Sequence, residues 1–197
     1  MRMPLLAAVS AVALLVGAAS VEARTPAPAA LVEADADSIS DDELRRFATA
    51  MEAIQPIAAA VQGGAPSAGQ QAQMAAAIEA SGLALDRFNA ISTAVSSDAV
   101  TRARVELAAS PPSPAGSAAA AVTDAEADQF VAAMAGVRPI AEALNGAAPG
   151  AEQQAEMAAA ITASGLDLER FNAISAAVSQ DDHLRARMAV AEAKRGG

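Results

Sequence analysis

Leu44, Phe47, Met51, Ile54, Ala58 and Val61 follow one another at spacings of three and four residues. That is the spacing of one helix face, so the stretch predicts an α-helix with a single apolar stripe. The same pattern returns as Ala127, Phe130, Met134, Val137, Ala141 and Leu144. Each stripe is preceded by a capping box, Ser40-Asp41-Asp42-Glu43 and Thr123-Asp124-Ala125-Glu126. In such a box the hydroxyl accepts from the third residue's N–H and the Glu accepts from the cap N–H. Pro56 and Pro139 fall inside the stripes, and each predicts a kink or a split near Ile54 and Val137 because proline supplies no backbone donor. Gly63-Gly64 and Gly146, followed by Pro66 and Pro149, end these helices.

A second helix is predicted from about Gln70 to Ser81, with Met74 and Ile78 inward, and equivalently from Gln153 to Ser164. Gly82 and Gly165 stand just past its end, where a positive φ is usually needed. A third helix carries Leu85, Phe88, Ile91 and Val95 on one face, matched by Leu168, Phe171, Ile174 and Val178. Asp167 is a natural N-cap for its second version, whereas the first has Ala84 there. Asp98 and Asp181 are expected to lead into a last helical stretch, with Arg102 and Arg185 four residues on as their ion-pair partners. No stretch alternates apolar and polar residues as a strand would.

These correspondences are one relation. Residues 39–107 align with 122–190 at a constant offset of 83 without a gap, and 39 of the 69 pairs are identical. All four Phe fall into matched pairs, Phe47 with Phe130 and Phe88 with Phe171. The expected architecture is therefore all-α, two tandem copies of a small helical-hairpin or bundle domain. Repeat 1 covers 38–107 and repeat 2 covers 122–190, with a tail at 191–197. Residues 108–121, rich in Pro, Ser and Ala, read as a flexible linker, and 24–37 as a disordered leader.

Residues 1–23 read as a secretory signal peptide: Arg2 is the positive end, Pro4 to Ser20 is uncharged and apolar, and Val21-Glu22-Ala23 precedes the cleavage point. The apolar run is shorter than the ~20 residues of a comfortable membrane span. A periplasmic or secreted location follows, with no membrane insertion after cleavage. The chain has no Cys, so neither a disulfide nor a lipid-bearing Cys is available. Its net charge is −10, and removing Arg2 and Glu22 together leaves that unchanged. Nucleic acid and anionic lipid are poor partners for such a chain. The hydrophobic fraction of 53% is mostly Ala, and there is no Trp or Tyr. Ala favours helix but buries little area, so each small repeat has a thin core.

The most distinctive segment is Gly82-Leu83-x-Leu85-Asp86-Arg87-Phe88-Asn89-x-Ile91, ending in Asp98 and Arg102. With Phe47 upstream in a capped helix, it resembles a family of small secreted or periplasmic bacterial helical domains known only as a domain of unknown function. The second copy carries the motif through Gly165, Leu166, Phe171, Asn172, Ile174, Asp181 and Arg185. The resemblance covers both repeats, and the chain departs from it in being unusually Ala-rich and in having two copies. It implies export and an all-helical fold, and no activity.

Candidate chemistry is sparse. His183 is the only His and its repeat partner is Val100, which disfavours a catalytic or zinc-binding role shared by the copies; a solvated position beside Asp181 and Asp182 is expected. The acids of Glu33-x-Asp35-x-Asp37 and Asp41-Asp42-Glu43 lack the glycine turn and terminal bidentate Glu of a calcium loop. Asn89 and Asn172 are expected to make structural hydrogen bonds holding the Gly63–Ser67 loop and its counterpart. The Met pairs, Met51/Met134 and Met74/Met157, fit a core. No catalytic, cofactor-binding or metal residue is assigned. The expected function is that of an exported, non-enzymatic protein-interaction module, whose partner is another protein or a second copy of itself. The alternative is a periplasmic small-ligand or metal-ion carrier.

Overall fold

The computed structural model describes residues 39–61 and 64–196. The signal peptide, the acidic leader and Gly63 lie outside the described residues. Among those described there are eight helices and no strand. The chain divides into two compact units, one ending at Val105 and the other Glu106–Gly197.

The first unit contains α1 (Asp41–Ala60), α2 (Ala68–Ala80) and α3 (Leu85–Ser97), and α4 (Ala99–Ala109) crosses the division. α1 packs on α2 and α3, and α2 on α3. Leu44, Phe47 and Ile54 of α1 are buried with Met74 and Ile78 of α2 and Ile91 and Val95 of α3. Phe47 and Phe88 meet with ring centroids 4.9 Å apart, as the two stripes required. Such a pair adds about 0.5–1.5 kcal/mol beyond the area it buries.

The second unit contains α5 (Asp124–Ala143), α6 (Ala151–Ala163), α7 (Leu168–Gln180) and α8 (Asp182–Gly196). Each begins 83 residues after its counterpart in the series α1–α4. α5 packs on α6 and α8, and α7 on α6 and α8. Its core joins Phe130, Ile161, Leu166, Phe171, Ile174, Leu184 and Met188. Phe130 and Phe171 repeat the 4.9 Å contact. α5 and α6 approach so closely that a Cβ on Gly136 would lie 2.9 Å from that of Ala160.

Local chemistry explains most boundaries. Both expected capping boxes form, at Ser40/Glu43 and Thr123/Glu126. α2 starts two residues before the expected Gln70 because Ser67 and Gln70 make a third box. Asp167 caps α7 by accepting from the Arg170 N–H at 2.7 Å, while Ala84 offers α3 no side-chain cap. Gly82 and Gly165 have φ of +81° and +93°, as the ends of α2 and α6 demand.

Three expectations are corrected. Pro56 and Pro139 do not split their helices, since α1 and α5 run through them. The proline ring costs one hydrogen bond where the helix is already exposed and free to adjust. The stripe of α1 also stops being buried after Ile54: Ala58 is exposed and Val61 half-exposed. Residues 64–73, which run from the turn after α1 through the first half of α2, contribute no buried side chain either, so the end of this hairpin carries no core. The same holds after Ala133, with Met134 and Val137 only partly buried. Finally, the stretch 108–121 expected as a flexible linker has one residue, Ala119, buried in the core of the second unit.

Candidate functional site

The densest polar cluster in each unit sits at the N-terminus of its first helix. The Glu43 carboxylate accepts from the Ser40 N–H at 2.9 Å and the Ser40 hydroxyl at 2.8 Å, completing the cap. It also takes the Arg87 guanidinium from α3 as a fork, Nε to Oε1 at 2.6 Å and Nη2 to Oε2 at 3.1 Å. The second unit repeats this: Arg170 of α7 reaches Glu126 at 2.7 and 3.0 Å, and also donates to the Ala121 carbonyl at 3.2 Å. A second arginine closes each cluster. Arg104 of α4 donates to Asp41 at 2.6 Å and to the Ile39 carbonyl at 2.8 Å. Arg187 of α8 donates to Asp124 at 2.5 Å and to the Val122 carbonyl at 2.9 Å. One helix start is thus clamped to two later helices by charge-assisted bonds, the stronger kind.

The electrostatics follow from that geometry. The Arg87 guanidinium, then the Ser40 amide, hold the Glu43 carboxyl down to about 2 against the opposing effect of burial. Arg170, then the Thr123 amide, lower Glu126 likewise to about 2. Arg87 and Arg170 are raised by their carboxylate partners. None of these groups is poised to exchange a proton near neutral pH, as a general acid or base would be.

Arg102 and Arg185 do not form the expected pairs with Asp98 and Asp181. Arg102 turns back to donate to the Val95 and Ser96 carbonyls at the end of α3, each at 3.2 Å. Arg185 does the same to Val178 and Ser179 and pairs with Asp182 instead. Exposed carbonyls at a helix C-terminus are good cation acceptors. Asp98 and Asp181 serve as caps of the following helices, accepting from the Thr101 N–H at 2.6 Å and the Leu184 N–H at 2.7 Å. Asp98 is held below its usual range first by the neighbouring Thr101 hydroxyl, which favours the charged form although it falls short of full hydrogen-bond geometry, then by the Thr101 amide. Asp181 is held low first by the Leu184 amide, and to a smaller extent by the Ser113 hydroxyl.

Asn89 and Asn172 are exposed, and neither side chain makes a hydrogen bond among the described residues. They follow the inward Phe by one residue, a step of about 100° around the helix, which carries them off the buried face. His183 is half-buried, with Nδ1 2.8 Å from the Ser110 hydroxyl. The Ser110 hydroxyl also lies 2.8 Å from the Leu107 carbonyl, which can only accept and competes for its one proton. Asp181 accepts from the Ser113 hydroxyl and the Leu184 amide and makes no hydrogen bond with the imidazole. Among the described residues no group of three or more His, Asp or Glu is placed to hold a metal ion, and no helix is long and apolar enough to cross a membrane.

Arg87, Arg104 and their counterparts carry the clamp, yet helical periodicity does not single them out. The repeat itself does. Of the charged residues, only Asp41, Glu43, Arg87, Asp98, Arg102 and Arg104 recur unchanged at the offset of 83. All six belong to the clamps and caps just described. Apart from the acid shared as Asp86 and Glu169, charges elsewhere differ between the copies. No charged residue lies between Ala53 and Ile78, whereas the equivalent stretch holds Arg138, Glu142, Glu152 and Glu156.

No family model, no curated protein and no solved structure matches the chain.

Proposed function

We propose that the chain is an exported, non-enzymatic pair of helical interaction modules, arisen as two copies of one domain. The N-terminal signal pattern and the resemblance to secreted helical domains support export. The identity of 39 of 69 aligned residues supports duplication. One observation carries the functional reading. The charged residues that recur unchanged in both copies are spent on holding helices together, and the exposed hairpin ends differ in charge between the copies.

Residues 55–61 and 64–73 contribute no buried side chain among the described residues, nor do 134–160. These ends present Ile57 and Val61 in one unit and Ile140 and Leu144 in the other, half-exposed beside Ala, Gln and Pro. One end is uncharged and the other carries both signs, so the two offer different surfaces to a protein partner. Met134 and Met157 add adaptable apolar contact to the second.

The test is capture from the envelope or secreted fraction with the full chain as bait, compared with Ala59→Arg and Ala143→Arg variants at exposed hairpin positions. The reading predicts a protein captured by the parent chain and lost from one variant or the other, at unchanged melting temperature. Retention of a small molecule or metal ion, with a ligand-dependent rise in melting temperature, would favour the carrier reading instead.

A further inference from the structure

We propose that Ser110–Ser113 is a strap latched onto the start of α8 by His183 and Asp181. Two contacts make the latch. The Ser110 hydroxyl lies 2.8 Å from both the Leu107 carbonyl and His183 Nδ1. A hydroxyl has one proton and a carbonyl cannot donate, so both contacts are satisfied together when His183 carries a proton on Nδ1 and donates it to Ser110. Three residues on, the Ser113 hydroxyl donates to Asp181 Oδ1 at 2.8 Å. The same carboxylate oxygen accepts from the Leu184 amide, so it caps α8 and anchors the strap together.

Pro111 and Pro112 lie between the two serines. Their fixed φ spaces the hydroxyls with little conformational freedom to lose. Beyond the strap the chain turns on Ser117, with the Ala121 amide bonded to its carbonyl and the Ala120 amide to its hydroxyl. It then buries Ala119 and Val122 in the core that also holds Leu184. The strap thus brings the turn to a core that it helps complete.

In the first copy Val100 stands at the position of His183, while Ser110 and Ser113 precede the aligned block 122–190 and have no counterpart in that copy. Asp98 is present there and only caps α4. The lone His of the chain therefore has a place in the architecture that the repeat does not share.

The test uses the full chain and limited cleavage by a protease that cuts after small residues, with fragments identified by mass. Cleavage of a transiently open segment follows its open population. His183→Val and Ser113→Ala should each speed cleavage between Ser113 and Ala121 about five- to tenfold, the effect of one lost hydrogen bond. Cleavage within α5 and α6 should not change. His183→Asn, whose carboxamide N–H can donate to Ser110, should restore slow cleavage. Equal rates in parent, His183→Val and Ser113→Ala would overturn the proposal. So would an increase spread evenly over the second unit, or failure of His183→Asn to restore protection.

Discussion

Replacing Arg170 by Lys keeps the charge of the clamp and removes its fork. The guanidinium meets both Glu126 oxygens at 2.7 and 3.0 Å and the Ala121 carbonyl at 3.2 Å. An ammonium is a point charge on a flexible stem and cannot reproduce that planar set. The side chains are about 31% and 24% exposed, so the pair stands between a surface ion pair worth up to ~1 kcal/mol and a buried one whose loss costs ~3–5 kcal/mol. A loss of about 1–2 kcal/mol follows for Arg170→Lys and about 2–3 kcal/mol for Arg170→Met, which leaves the Glu126 carboxylate without its cation.

The pH dependence adds a signature that packing alone cannot mimic. Glu126 is lowered from 4.5 to about 2 in the folded chain. A depressed carboxyl contributes stability that is present above its unfolded value and is lost as pH falls through the folded one. The contribution of the clamp therefore fades between about pH 4.5 and about pH 2, in the acid direction only. The assay is urea unfolding followed by circular dichroism at a series of pH values from 7 to 2. The parent should lose stability steeply across that window, and Arg170→Met should lose less because it has less to lose. Parallel curves for the two chains, or an Arg170→Lys midpoint equal to that of the parent at pH 7, would refute the clamp as a source of stability.

Phe171→Ala should cost about 3–5 kcal/mol by transfer plus cavity, read as a fall in urea midpoint; Phe88→Ala, whose ring is only half-buried, should cost less. Ala84→Asp should add about 0.5–1 kcal/mol by giving α3 the cap that Asp167 gives α7, and Asp167→Ala should remove about as much, both measured by thermal melting. Asn89→Ala and Asn172→Ala should leave melting within about 0.5 kcal/mol of the parent, as exposed positions without hydrogen bonds do. N-terminal sequencing of the exported protein should begin at Arg24 or within a few residues, and an intact Met1 on cytoplasmic material would contradict export.

Helix identity was legible in the sequence where capping chemistry and the three-four stripe agree with each other, as in α1, α5 and α7. Ser40, Thr123 and Asp167 cap as their residue types dictate. The Phe pairs meet because each lies on the one apolar face of its helix. Where each stripe stops being buried was not legible, since burial depends on which other helices reach the α1–α2 hairpin end, and that end buries no side chain. Of the kink or split expected at Pro56 and Pro139, the split does not occur, because an exposed turn tolerates the missing hydrogen bond.

Polar partners were the least legible part. Asp98 and Arg102 stand at helical spacing, but a cap and a helix C-terminus compete for them and win. The clamp arginines reach carboxylates 44 and 63 residues away, beyond any local pattern. Comparison of the charged positions between the two copies was the available signal, because it separates charges that hold the fold from those that decorate its surface. Ser110 and Ser113 carried no such signal, since they precede the aligned block 122–190 and have no counterpart in the first copy.

The most direct test of the central claim, that the chain acts by binding protein, is native mass spectrometry of the complex isolated intact from the envelope or secreted fraction. The account predicts a mass equal to the processed chain plus a second polypeptide, either a copy of itself or another protein. A processed chain found alone, or one carrying only a small molecule or a metal ion, would contradict it.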